Sequence, residues 1–111
     1  MPSDFLAIIS VSDARECVFS FIGNKISVLF PGCESGMKLS DVSPLPVRLG
    51  MLRPIQEVLV SRQPLSRRST YQKVDAESFY EQLILPFVDK NFNVRRLAVV
   101  ADGYTLRKMA A

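Results

Sequence analysis

The sequence predicts an α+β domain: an antiparallel sheet of about five strands, in the order β-β-β-α-α-β-β along the chain, with helices packed on one face. Three observations predict it. Apolar residues alternate on both sides of Gly23-Asn24, as in a hairpin. A β-branched run, Val94–Ala101, leads into Asp102-Gly103, a second favoured turn. Between these, apolar positions from Phe79 to Val88 recur three and four residues apart, the spacing of an amphipathic helix. A chain of 111 residues with 48% apolar and 23% charged residues has the size and composition of one globular domain, so residues 1–111 are taken as a single unit.

The first strand is Phe5–Val11, bounded by Asp4 and by Ser12-Asp13 and apolar on both faces. The hairpin Cys17–Phe30 follows, with Gly23 suiting the first position of a two-residue turn. Pairing Ile22 with Lys25 sets Phe21 against Ile26, Phe19 against Val28 and Cys17 against Phe30. All six apolar side chains then share one buried face, with Ser20 opposite Ser27 on the other. Pro31-Gly32 ends that strand.

Residues 32–50 are rich in Ser, Pro and Gly and read as a long connection with room for one short strand. Pro54 suits the first turn of a short helix that buries Ile55, Val58 and Leu59 and ends near Arg62. Ser61–Lys73 then reads as a loop between helices. Asp75 is placed as the cap of a helix beginning at Ala76, with Val74 and Phe79 stapling its entry. The columns Phe79, Leu83, Phe87 and Tyr80, Ile84, Val88 face the sheet, and Pro86 kinks or ends the helix. Val94–Ala101 returns as a strand. Beyond the Asp102-Gly103 turn, Tyr104–Met109 is a further strand, although Leu106–Ala111 also has helix propensity.

The chemistry of the side chains excludes several function classes. There is no histidine, so a Ser–His or Cys–His nucleophile pair within one protomer is ruled out. Five scattered glycines make no phosphate-binding loop. Two cysteines are too few for a tetrahedral metal site without histidine; Cys17 reads as a buried thiol and Cys33, in a turn, as a more exposed one. Nothing calls for a cofactor. The eleven carboxylates show no spacing that selects a catalytic pair, so the chain is read as not an enzyme. The apolar run Phe5–Ile9 follows an aspartate and is too short for a signal core or a bilayer span, which argues for a cytoplasmic protein without a membrane partner.

A net charge of +3 decides little, but its distribution is uneven. Between Ser61 and Lys73 stand Arg62, Arg67, Arg68 and Lys73 with no acidic residue, and Arg95-Arg96 extends the set if the last hairpin lies close by. These six are the candidate binding residues. The leading expectation is a small non-enzymatic interaction protein, a regulator, inhibitor or adaptor, engaging another protein through its sheet surface or this basic loop. A homodimer joined at a strand edge belongs to the same expectation. The alternative is nucleic-acid binding through residues 61–73, against which stands the burial of Phe19 and Phe21 expected from the hairpin register.

Overall fold

In the computed structural model, which describes residues 2–30, 32–43, 45–73 and 76–107, the five strands form one antiparallel sheet. They are β1 (Leu6–Val11), β2 (Cys17–Ile22), β3 (Leu65–Lys73), β4 (Ala76–Val88) and β5 (Val94–Arg107). Two helices, α1 (Asn24–Leu29) and α2 (Leu45–Ser61), separate β2 from β3. The order across the sheet is β2-β1-β5-β4-β3, so the central strand is β5. The α+β class and an antiparallel sheet of five strands are as predicted, but only β1, β2 and β5 coincide with predicted strands; along the chain the elements run β-β-α-α-β-β-β.

One row of register partners spans the sheet: Leu65, Ile84, Val99, Ala7 and Ile22. Its three central members are fully buried, together with Ile9, Leu97 and Ala101 beside them, because α1 and α2 cover this face. From α2, Met51, Ile55 and Val58 are spaced four and three apart and enter the core together. Each fully buried aliphatic side chain of this kind contributes about 1.5–3 kcal/mol. Pro54 lies inside α2 and leaves the Gly50 carbonyl without its helical donor. The helix begins nine residues earlier than the proline suggested as a start.

The predicted hairpin at Cys17–Phe30 does not form. β2 pairs with β1, and residues 24–29 coil into α1. The alternation Ile26, Val28, Phe30 satisfied a strand, but Ile26 and Phe30 are also one helical turn apart; both are buried, whereas Val28 is 74% exposed. Gly23 serves close approach and not a turn. Its N–H donates to the Leu6 carbonyl at 2.8 Å, and a Cβ there would lie 2.1 Å from the Ser3 carbonyl oxygen.

A bulge in β2 adds a second correction. Ile8 pairs with Phe21 and Ile9 with Phe19, so Ser20 is the extra residue and the two phenylalanines point to opposite faces. Phe19 is in the core; Phe21 is 40% exposed on the uncovered face.

The predicted helix from Ala76 is strand β4, paired with β3 on one side and β5 on the other. Ile84 faces the core, while Leu83 and Phe87, assigned to the same buried helical face, are exposed. Pro86 is tolerated because β3 pairs no further than Ile84, leaving β4 at that point with β5 alone beside it. Val74 and Asp75, the proposed staple and cap, lie outside the described residues, as do Pro31 and Pro44. The loop predicted over 61–73 is mostly β3, a polar strand at the sheet edge. β5 runs straight through Asp102-Gly103 without the expected turn as far as Arg107; residues 108–111 lie outside the described set.

Both edges of the sheet are managed. Beside β2, the connection that follows α1 adds a bridge between Val18 and Lys38, with Phe19 N–H donating to the Met37 carbonyl at 2.9 Å. Beside β4, the edge strand β3 carries Arg67, Arg68 and Lys73 along its length, charges that oppose strand addition.

Candidate functional site

The six predicted basic residues do not gather on one surface, and the pleat of β3 explains why. Arg67 pairs in register with Gln82 on the helix side and lines a shallow cavity with Pro46, Leu49, Gly50, Arg53 and Pro54. Its neighbour Arg68 projects to the opposite face and forms a 3.0 Å ion pair with Glu81. Lys73 closes β3. Arg96 stands on the uncovered face of β5, in register with Ser10 and Phe87.

Arg62 and Arg95 do come together, at the end of the sheet where the β1–β2 and β4–β5 turns meet the end of α2. With Arg15, Asp13 and Asn93 they line a cavity of about 120 Å³. The two turns are built alike. In one, Ser12 and Glu16 pair and Arg15 N–H donates to Ser12; in the other, Asp89 and Asn93 pair and Phe92 N–H donates to Asp89. Arg15 and Phe92 take φ of 60° and 63°, where such hairpins favour glycine. Arg62 also has positive φ, with its N–H donating to the Val58 carbonyl at 2.8 Å as the left-handed cap of α2.

The electrostatics of this end are structural. The Asp89 carboxylate accepts from Asn91 N–H at 2.8 Å, Asn93 N–H at 3.1 Å and Arg95 Nε at 2.9 Å. Those contacts, Arg95 first, hold the Asp89 carboxyl below its ordinary range. Arg95 also pairs with Asp13. It is therefore occupied in fixing the β4–β5 turn to the β1–β2 turn. Lys38 is similarly engaged, 2.8 Å from Glu16, which raises its pKa.

Both thiols are buried. Cys33, expected to be the more exposed, is enclosed and donates to Met51 Sδ at 3.5 Å; burial pushes it up to about 11. Burial, and then the nearby Glu16 charge, also raise Cys17. Thiolate chemistry is thereby suppressed at both. Among the described residues no three of Cys, Asp and Glu gather into a possible metal cluster, and no helix is long and apolar enough to cross a membrane.

The sheet surface, expected as a binding face but given no residues by the sequence, is the uncovered face of the sheet. Its middle rows are Phe21, Ile8, Ala98, Leu85 and Leu6, Val100, Leu83 in register order. Val100 and Leu83 are each 37% exposed and Phe87, beyond Leu85 on the same face, 54%. No described helix or loop covers them. Apolar residues on both faces of the first strand were legible in the sequence, and helices were expected on one face of the sheet only. No protein-family model matches the chain, and no curated protein sequence matches it.

Proposed function

We propose that the chain is a small non-enzymatic interaction protein, acting as a regulator, inhibitor or adaptor, and that its uncovered sheet face docks another protein. The observation that carries this reading is the contiguous apolar surface formed by Ile8, Leu6, Val100, Leu83 and Leu85 around the nearly buried Ala98, flanked by Arg96 at one end and by Asp102 with the Arg68–Glu81 pair at the other. An apolar centre with a charged rim is the composition of protein-binding surfaces. A fitting partner is apolar where it meets the centre, acidic against Arg96 and basic against Asp102.

The nucleic-acid alternative draws less support, because Arg67 and Arg68 emerge on opposite faces and Arg95 is held by two carboxylates. A photo-crosslinking residue in place of Val100, expressed in the native host, is expected to give discrete protein adducts that the same residue at Glu57, on the outer side of α2, does not. Absence of any adduct specific to position 100 overturns the reading.

A further inference from the structure

We propose that the occupant of the uncovered face is a second copy of this chain, packed sheet against sheet about a two-fold axis that crosses the strands over the row Ile84, Val99, Ala7. This deepens the interaction reading above and rests on it. The argument begins with β5. Because Leu97, Val99 and Ala101 enter the core, Arg96, Ala98, Val100 and Asp102 all stand on the uncovered face. On that face the central strand thus carries a cation, two apolar residues and an anion, in that order, with Ala98 only 7% exposed between its larger neighbours.

That order is self-complementary under only one kind of two-fold. A rotation about an axis across the strands turns β5 over its own copy and exchanges the two ends. Arg96 then lies over Asp102 of the second copy, and Ala98 over its Val100. On the flanking strands Ile8 meets Leu6 and Leu85 meets Leu83, so the apolar positions of the three central strands between the two charges find apolar mates. A rotation about the strand direction would instead set Arg96 against Arg96 and Asp102 against Asp102. The charges select the first arrangement.

The geometry is within ordinary bounds. Arg96 and Asp102 are six residues apart, about 20 Å along the strand, and facing sheets pack about 10 Å apart with strands within about 30° of alignment. Neither residue takes part in an ion pair among the described residues, so each is available to the second copy. Phe87 falls over the Arg68–Glu81 pair of the second copy, where a guanidinium can stack on its ring. Three strands of seven residues give a flat footprint on the order of 300 Å², well below the roughly 800 Å² per partner of a stable interface. Reversible, concentration-dependent association follows from that size.

The test is sedimentation equilibrium of the purified full chain from low micromolar to near-millimolar concentration, with circular dichroism confirming that each variant is folded. The wild type is expected to pass from monomer to dimer. Arg96→Asp and Asp102→Arg each create two like-charge contacts and are expected to weaken association at least tenfold. The double variant restores opposite charges and is expected to recover most of the loss. A strict monomer, a dimer indifferent to both single changes, or singles that weaken without recovery in the double variant each overturn the proposal. If the wild type is a monomer while position 100 still crosslinks to proteins of other masses, the second copy is wrong and the docking face stands; with no adducts, both fail.

Discussion

The two faces of this sheet are made by the same strands and have opposite fates. On one, Ala7, Ile9, Ile84, Leu97 and Val99 are sealed beneath α1 and α2. On the other, Leu6, Ile8, Leu83, Leu85 and Val100 have nearly the same hydrophobicity and no cover among the described residues. The difference lies in connectivity. The chain between β2 and β3 supplies both helices to one side, while the turn between β4 and β5 supplies nothing to the other. Apolar content alone therefore does not say which face of a strand is core; the path of the connections does.

The largest effect that separates the faces comes from paired truncations. Leu97→Ala, in the closed core, is expected to lower unfolding free energy by about 2–5 kcal/mol. Val100→Ala, three residues along the same strand, is expected to cost less than about 1 kcal/mol when urea unfolding is followed at low micromolar concentration. Similar losses at both positions would show that the second face is covered within the monomer.

A smaller effect sharpens the account of the closed face. Gln82 projects into it between Arg67 and Ala101, is almost wholly buried, and makes no hydrogen bond through Oε1 or Nε2. Gln82→Leu removes two unsatisfied polar atoms with little change of volume and is expected to raise stability by about 1–3 kcal/mol. A loss of stability in the same urea titration would refute the assignment of that carboxamide as unpaired.

The smallest effect concerns the end of the sheet where both faces meet the turns. The Asp89 carboxyl is depressed in the folded state, so its contribution is present above the unfolded value near 3.9 and is lost as pH falls through the folded one. Asp89→Asn is expected to flatten the fall in urea midpoint between pH 5 and pH 2 and to leave a lower midpoint at pH 7. An unchanged acid limb would mean that Arg95 and the turn amides do not hold the ionised form.

The class was legible because β1, β2 and β5 are dense in β-branched and aromatic residues, whereas the count of five was reached through 25–30 and 104–109 in place of β3 and β4. The misreadings arose where two periods coincide. Ile26 and Phe30 satisfy both a strand and a helical turn, and only the tertiary fact that β2 is already paired with β1 decides between them. Leu83, Ile84, Phe87 and Val88 fit a helical stripe as well as two strand faces, and long-range pairing to β3 and β5 settles the matter. β3 was illegible for another reason: an edge strand needs little apolar content, so its arginines read as a loop. Of the basic residues, sequence position could not reveal that the pleat sends Arg67 and Arg68 apart. The Ser20 bulge, which moves Phe21 out of the core, left no signal in a pattern of strict alternation.

The placement of β5 has a consequence for how the molecule is made. It is the central strand of the sheet and the last of the five to leave the ribosome, while β1 and β2 precede the other three. At roughly 5–20 residues per second, β1 waits for several seconds before the strand it must pair with is synthesised. During that interval the β1–β2 hairpin has α1 and α2 to shield one side, but the edge that will receive β5 stays open. A nascent chain of this topology therefore depends on its N-terminal half remaining unassociated until translation has passed Ala101.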